Sequence, residues 1–263
     1  MIPIFDSLCH PTLTGKWLGS NLDSTFQKLE NDLKAYGFIG ANAVGIHSIE
    51  KYDHGSFIKE CSKVSSLFPV AGLDVHKKNL RKEIEKIKKI GYKAVKIHPR
   101  FNMMKYNDHL ANIFELCNEK GLIVFYCTYA HTKIEYYPTQ DPFYYLIKIL
   151  QKTPEIKLIL VHGGDIQLLK YAELVRFNQN LLLDLSLTIF KYQDSSLDKD
   201  IKYLFKNFDK KICIGTDHPE YSHELLRKKF NTLTNNLDKK KAENIGYKNI
   251  IKFLNIDLKN LVK

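Results

Sequence analysis

The feature that most constrains the fold is a regular alternation of short apolar segments with longer amphipathic segments. Most of the short segments are runs of Val, Ile, Leu and Phe, which are typical of parallel strands buried on both faces. They predict eight strands, at residues 2–5, 41–46, 69–75, 94–97, 122–126, 157–161, 181–185 and 211–214. The other segments predict helices, at residues 25–36, 56–65, 79–90, 108–120, 142–152, 167–176, 197–207, 222–235 and 239–254. This alternation favours parallel pairing through right-handed crossovers.

The count of eight strands favours a closed barrel over an open sheet. The predicted fold class is therefore α/β, a single (β/α)8 TIM barrel with an extra C-terminal helix. A chain of 263 residues has the length of such a barrel, which typically needs about 250 residues. We therefore expect one domain over residues 1–263.

Four of the predicted strand regions carry a histidine or an aspartate where the apolar run ends. The segments are IPIFDSLCH (residues 2–10), AVKIHPR (94–100), LILVHGG (158–164) and ICIGTDHP (212–219). A parallel barrel brings the carboxyl ends of its strands to one face. The polar side chains of these segments are therefore expected to converge on one site of the size of a metal ion.

The chain is basic, with a formal net charge of +11 that comes almost wholly from lysine. The lysine-rich stretches at 86–89 and 239–241 fall on the outer faces of predicted helices, where charge is simply solvated. Proteins that bind nucleic acids usually concentrate their charge together with arginine and aromatic residues. We therefore expect a small-molecule substrate and no nucleic-acid partner.

The five cysteines are scattered and form no C-x-x-C pair, which argues against a disulfide framework and against a structural zinc knuckle. The first residues lack the basic region of a signal peptide, and no apolar run approaches the roughly 18 residues of a membrane span. We expect a cytoplasmic protein without a membrane partner. Assembly into a homo-oligomer is left open.

Three motifs carry a family resemblance. GYKAVKIHPRF, LVHGG and IGTDHP resemble, in this order and at these separations, the amidohydrolase superfamily and specifically its amidohydrolase-2 family. That family includes aminocarboxymuconate-semialdehyde decarboxylase and related lactonases. The segment IGYKNIIKFL resembles the closing helix of the family, with Asn249 in the family's asparagine position.

The resemblance implies a metal site. In the family, the first strand ends in D-x-H-x-H, the fifth in a metal-binding His, the sixth in a His before Gly, and the eighth in the Asp of a [ST]-D-x-P motif. Asp6, His10, His162 and Asp217 match this pattern. One divalent ion, expected to be zinc, would then be bound by His10, Cys127, His162 and Asp217.

Two positions depart from the pattern. Leu8 occupies the place of the first His of the H-x-H pair, and a leucine cannot bind a metal. Cys127 occupies the place of the His of the fifth strand. A thiolate is a good zinc ligand once its proton is lost, although a free buried cysteine more often packs as a small apolar residue.

The remaining candidate residues would act on the substrate. In the family, the aspartate at the position of Asp217 binds the metal and takes a proton from the attacking water, so we expect Asp217 to be the base. His162 and His98 would stabilise the developing oxyanion. Lys96 and His98 alternate along the fourth strand and should both face the barrel interior. Arg100 could clamp a carboxylate, with Lys96 and Tyr129 as further substrate-binding residues.

These residues leave several functions open. The resemblance implies a metal-dependent hydrolase of an amide, ester or lactone, or a nonoxidative decarboxylase. A barrel that has lost its metal and serves as a binding or regulatory protein is an alternative, which Leu8 favours. A TatD-like nuclease is a third, indicated by VAGLDVH and the basic charge, but Ala71 stands where that family has an acidic residue.

Overall fold

Eight parallel strands form the central sheet of the molecule. In the computed structural model, which describes residues 1–257, each strand pairs with the next one along the chain. The strands are β1 (Ile4–Cys9), β2 (Phe38–Val44), β3 (Leu67–Gly72), β4 (Ala94–Ile97), β5 (Ile123–Cys127), β6 (Leu158–Val161), β7 (Leu181–Asp184) and β8 (Ile212–Cys213). This order is that of a TIM barrel, as the alternation in the sequence predicts.

The barrel closes between its first strand and the segment that follows its last strand. The amide of Ser7 donates to the carbonyl of Ile214 over 3.0 Å, and the amide of Asp217 donates to the carbonyl of Leu8 over 3.0 Å. A third bond runs from the amide of His10 to the carbonyl of His218 over 2.7 Å. We call this set of contacts the seam of the barrel. It places His10 and Asp217 side by side.

Helices cover the outside of the sheet. They are α1 (Phe26–Ala35), α2 (His54–Ser62), α3 (Leu80–Ile90), α4 (Asp108–Glu119), α5 (Pro142–Lys152), α6 (Leu168–Arg176), α7 (Thr188–Lys191), α8 (Leu197–Asn207), α9 (His223–Thr234), α10 (Lys239–Glu243) and α11 (Asn249–Leu254), with a π-helical turn (Asn244–Lys248) between the last two. Local sequence sets their ends. The hydroxyl of Thr25 caps α1 by accepting from the amide of Lys28, and Gly91 ends α3 at a φ of 115°.

The last helix closes the bottom of the barrel. Ile250, Ile251 and Leu254 of α11 belong to the same buried apolar cluster as Phe5 and Leu8 of β1. The side-chain Nδ2 atom of Asn249 donates to the carbonyls of Asp209 and Ile212, at 2.6 and 2.8 Å. The asparagine of the closing segment therefore anchors the helix beside β8.

Several details of the predicted architecture are wrong: the short helix α7 is not predicted, and the π-helical turn interrupts the helix predicted at residues 239–254. The first strand covers Ile4–Cys9 rather than residues 2–5, because the polar Asp6 and Ser7 are buried within it and make hydrogen bonds. The sequence also gives no sign of a small antiparallel hairpin, Lys16–Trp17 with Ser20–Asp23, since its strands are short and mostly exposed. The predicted domain extends to residue 263, and residues 258–263 lie outside the described residues. Within residues 1–257, no helix combines the length and apolarity needed to cross a membrane.

Candidate active site

A cavity of about 200 Å³ lies at the carboxyl ends of the strands, the face on which TIM-barrel enzymes place their active sites. We call it the mouth cavity. Six residues predicted for the site line it: His10, His98, Arg100, Tyr129, His162 and Asp217. Lys96 and Cys127 are buried beside it at the ends of β4 and β5. The barrel therefore brings together residues that follow five different strands.

His10 and Asp217 form the centre of this cavity. The Nδ1 atom of His10 lies 2.7 Å from the carbonyl of Val44, so Nδ1 must carry a proton. The Nε2 atom then faces Oδ1 of Asp217 at 3.4 Å. Burial disfavours the Asp217 carboxylate, but His162 and His10 outweigh this effect and lower its pKa to about 2. Nε2 of His10 and Oδ1 of Asp217 are therefore placed to bind the same cation.

His162 lies across the cavity and is held by the segment after β7. Its backbone has a φ of 69°, an unusual conformation for a residue other than glycine. Its carbonyl accepts from the hydroxyl of Thr188 at 2.7 Å, and its Nδ1 donates to the carbonyl of Ser186 at 3.0 Å. Burial lowers the pKa of His162 to about 4. The ring is therefore neutral at pH 7, and its Nε2 is an acceptor.

His98 has the opposite tautomer. Its Nδ1 accepts a long hydrogen bond of 3.4 Å from the backbone amide of Phe101. The imidazole ring also stacks on the Phe101 ring, with ring centres 4.1 Å apart. Burial and the nearby charges of Lys96 and Arg100 hold the pKa of His98 well below its usual value. In the neutral ring the proton is then on Nε2. His98 therefore offers a hydrogen-bond donor where His162 offers an acceptor.

Lys96 and Cys127 lie deeper than the other residues. The Nζ atom of Lys96 is buried and has no hydrogen-bond partner within the described residues, and burial lowers the pKa of its ammonium group. Burial also raises the pKa of the Cys127 thiol, against the opposing effect of the Lys96 charge. The thiol is therefore protonated in the protein as described. An ion would have to displace that proton for Cys127 to bind it.

Cationic side chains flank an aromatic ring on one wall of the cavity. The guanidinium of Arg100 lies 4.7 Å from the ring centre of Tyr129, and the Nζ atom of Lys191 lies 3.8 Å from the same centre. Lys191 also donates to the hydroxyl of Tyr129. The Nε atom of Arg100 is buried and finds no hydrogen-bond partner in the part of the chain that the structure describes. This wall suits a carboxylate group of a ligand.

The hairpin after β1 covers the opposite wall. Trp17 stacks on His10, with ring centres 5.2 Å apart and planes 11° from parallel. Its indole Nε1 donates to Glu220 at 2.6 Å. Sequence reasoning missed Glu220 and Lys191 as lining residues. Each comes from a polar loop or short helix, and neither has a local sequence signal.

Three further histidines have no role that the sequence indicates. The Nε2 atom of His47 lies 3.3 Å from Oδ2 of Asp74, and the Nε2 atom of His131 lies 3.0 Å from Oδ2 of Asp165. The Nε2 atom of His76 donates to the carbonyl of Asn102 over 2.7 Å. Each of them is satisfied within the protein and none lines the mouth cavity.

The donors of the mouth cavity fit a divalent ion by their chemistry. Two imidazole nitrogens and one carboxylate, from His10, His162 and Asp217, form the kind of set that leaves a position for water in catalytic zinc sites. An ion bound there would lower the pKa of a water molecule or polarise a carbonyl group. Leu8 is fully buried in the apolar interior and provides no ligand.

The spacing of these donors is wider than a bound ion needs. Among residues 1–257, two groups of three residues each bring their potential ligand atoms within 4.8 Å of one another, and both groups lie outside the mouth cavity. One group is Asp6, Cys9 and His223, and the other is Asp32, His218 and His223. In the mouth cavity, Nε2 of His10 and Oδ1 of Asp217 lie 3.4 Å apart, but no group of three donors there meets this spacing within the described part of the chain. Metal binding by His10, Cys127, His162 and Asp217 stays a prediction, and it requires side-chain movement.

The fold and the site together define a class of protein, a TIM barrel with a polar, histidine-rich cavity at its catalytic face. A family model described as Amidohydrolase (Amidohydro_2) matches residues 22–256. The chain therefore belongs to the amidohydrolase-2 family. This membership supports an enzyme, a metal-dependent hydrolase or decarboxylase. None of the curated proteins matches the chain.

Solved structures share the fold over nearly the whole chain. An uncharacterized TIM-barrel protein from Bordetella bronchiseptica has 16% identity and a TM-score of 0.78, with 96% of this chain and 98% of that chain covered. A probable 2-pyrone-4,6-dicarboxylic acid hydrolase from Acinetobacter baumannii has 15% identity and a TM-score of 0.69, covering 97% and 100%. The 2,6-dihydroxybenzoate decarboxylase from Rhizobium has 12% identity and a TM-score of 0.71, covering 98% and 100%. At these identities the likeness establishes the fold alone.

Proposed function

We propose that this protein is a hydrolase that cleaves a small ester or lactone bearing a carboxylate group. The observation that carries the proposal is that the mouth cavity presents both hydrogen-bond acceptors and hydrogen-bond donors or cations to the same small space. The acceptors are His10, His162 and Asp217, and the donors are His98, Arg100 and Lys191.

The cationic wall supports an anionic substrate. Arg100 and Lys191 both contact Tyr129, and neither has an ion pair with a carboxylate among residues 1–257. An arginine can bind a carboxylate through two parallel hydrogen bonds. The cavity volume of about 200 Å³ limits the substrate to a small molecule.

The acceptors and donors support hydrolysis. A water molecule between Asp217 and His162 can lose its proton to either group, because Asp217 is ionised and Nε2 of His162 is unprotonated at pH 7. His98 can donate a hydrogen bond from its Nε2–H group to the oxygen on which negative charge develops. The expected oxyanion role of His162 would need a protonated ring, which a pKa of about 4 opposes.

The test is turnover of a panel of lactones, esters and amides with a carboxylate group, with and without added zinc or manganese. Asp217→Asn should lower kcat by about 10²-fold or more while the protein stays folded. Asp74→Asn is the matched control, because Asp74 follows β3 near the same face but does not line the cavity. Equal turnover in Asp217→Asn and wild type would contradict the mechanism.

Nonoxidative decarboxylation is the second candidate. The same cationic wall would hold the carboxylate of an aromatic acid, and a 2,6-dihydroxybenzoate decarboxylase shares the fold. Release of carbon dioxide from hydroxybenzoates, without hydrolysis of any ester, would favour it. Absence of both activities, with or without metal, would favour the binding or regulatory alternative.

A further inference from the structure

A second cluster of metal-binding side chains lies outside the mouth cavity, where β1, α1 and α9 meet. Its members are Asp32 on α1, His218 in the loop after β8, and His223 at the start of α9. His218 and His223 are 3% and 0% exposed, whereas the Asp32 side chain is 13% exposed. One ligand atom from each of the three lies within 4.8 Å of the others.

The orientation of His223 is fixed by Asp6. The Nε2 atom of His223 lies 3.2 Å from Oδ2 of Asp6, which also accepts from the hydroxyl of Thr216 at 2.6 Å. A carboxylate is an acceptor, so the proton of the ring must be on Nε2. Metal-binding histidines typically donate their second ring nitrogen to a carboxylate in this way. The Nδ1 atom of His223 is then the one left for a ligand.

Two buried imidazole nitrogens in this cluster have no hydrogen-bond partner among residues 1–257. They are Nδ1 of His223 and Nε2 of His218. The Nδ1 atom lies 3.7 Å from Oδ2 of Asp32, which is beyond hydrogen-bond distance. A buried polar atom without a partner costs free energy, and a cation would remove that cost for both rings. Ligands around a tetrahedral zinc ion are roughly 3.3 Å apart, given bonds of about 2.0 Å.

We propose that Asp32, His218 and His223 bind one divalent transition-metal ion, with Asp6 orienting His223. Two imidazoles and a carboxylate suit zinc, and also cobalt or nickel. Lys28, whose Nζ lies 2.6 Å from Oδ1 of Asp32, would release one carboxylate oxygen to the ion. That lysine side chain is 44% exposed, so it can turn into solvent.

Cys9 does not belong to this set. Its Sγ atom lies 3.9 Å from Nε2 of His223, the nitrogen that donates to Asp6. It also lies 3.7 Å from the hydroxyl of Thr216. The group formed by Asp6, Cys9 and His223 would therefore require His223 to give up its bond to Asp6.

An ion at this site would stabilise the fold and would not contact the substrate. His218 follows Asp217 directly and forms part of the seam through its carbonyl. An ion bound to His218, Asp32 and His223 would link the loop after β8 to α1 and α9. It would therefore hold the backbone of Asp217 in place.

The test is cobalt(II) and zinc titration of protein that has been stripped with a chelator. Wild type should bind cobalt with a visible absorption band and show a higher Tm with the ion. Asp32→Asn and His218→Gln should each weaken the binding by about tenfold or more. Asp108→Asn and His109→Gln on α4 are the matched controls and should bind as wild type does.

Further variants separate this site from the mouth cavity. His10→Gln and His162→Gln should leave the ion and its absorption band in place, whereas loss of the band in these variants would overturn the proposal. Failure of wild type to bind either ion would overturn it too. If His218→Gln does not fold, Asp32→Asn decides alone, because its partly exposed side chain can be changed without opening the core.

Discussion

The backbone amide of His162 donates to Oδ2 of Asp184 over 3.3 Å. The same carboxylate accepts from the hydroxyls of Ser7 and Ser186 and, over 3.2 Å, from the amide of Ser186. Asp184 therefore ties the end of β7 to β1 and to the residue that follows β6. It supports the conformation in which Nδ1 of His162 donates to the carbonyl of Ser186.

Asp184→Asn should weaken the hydrogen bonds that hold the backbone of His162 in its conformation. The amide nitrogen of asparagine donates instead of accepting, so at least one of these buried donors loses its partner at a cost of about 1–3 kcal/mol. We expect a lower free energy of unfolding in denaturant titrations and a lower kcat on any substrate found. Asp194→Asn is the control, because Asp194 is exposed and asparagine tolerates its positive φ of 66°. Wild-type stability in Asp184→Asn would show that the network does not depend on the carboxylate.

The stability of the protein should depend on pH through the same aspartate. Burial, only partly offset by the hydrogen bonds from Ser186 and Ser7, raises the pKa of Asp184 to about 6. A raised pKa means that the folded state holds the proton more tightly, so this stabilisation is complete below about pH 4 and disappears as the pH rises to about 6. Asp217 acts in the opposite sense and at lower pH, because its pKa is lowered to about 2.

Urea titrations between pH 4 and 7 test this dependence. The contribution of Asp184 should fall across that range by an amount on the order of 3 kcal/mol, whereas the lowered pKa values of His98 and His162 make stability rise over the same range. The difference in stability between wild type and Asp184→Asn should therefore shrink by about that amount as the pH rises, whereas Asp194→Asn should reproduce the curve of wild type. An unchanged slope in Asp184→Asn would assign the pH dependence to other groups.

Lys96→Met should stabilise the protein and impair its activity. The buried ammonium of Lys96 has no hydrogen-bond partner in residues 1–257, and methionine fills similar space without the cost of burying a charge. Removal of the positive charge should also raise the pKa of Asp217, which Lys96 helps to lower. A higher Tm together with a lower kcat is expected. A lower Tm would contradict this prediction, because it would show that the ammonium group of Lys96 stabilises the folded protein.

Cys127→Ser should lower the metal content of the mouth cavity. The change replaces a potential thiolate ligand with a neutral hydroxyl that binds zinc poorly. Elemental analysis of protein purified without chelator provides the measurement, with Cys117→Ser on α4 as the control for a buried thiol. Full metal content in Cys127→Ser would remove Cys127 from the ligands. Leu8→His should have the opposite effect and increase affinity.

Arg100→Gln should weaken substrate binding more than it slows the chemical step. The guanidinium lies against Tyr129 and lines the cavity, so its loss removes the proposed contact to the substrate carboxylate. We expect KM to rise by about tenfold or more for carboxylate substrates and to change little for their neutral esters. An equal change for both kinds of substrate would exclude carboxylate recognition by Arg100.

The sequence predicts the barrel well because each strand is a local apolar run. It fails at β1, where Asp6 and Ser7 interrupt the run but are buried. Their partners lie far along the chain: Thr216 is 210 positions from Asp6, and Asp184 is 177 positions from Ser7. A local pattern contains no information about such contacts.

The candidate site is predictable to a similar extent. His98 and His162 follow apolar strands, so parallel pairing alone places them at one face. Lys191 and Glu220 come from polar segments whose positions depend on packing, and no local signal marks them. The tautomers of His98 and His162 depend on their hydrogen-bond partners, and these partners are known only from the fold.

The seam of the barrel joins two segments that leave the ribosome at very different times. The ribosome delivers β1 long before β8, and contacts between segments so far apart form slowly. His10 is therefore synthesised early, and its contact with Asp217 can form only after most of the chain has been made. Until that late segment arrives, a nascent chain would expose the unpaired edge of β1, a surface that chaperones would need to protect.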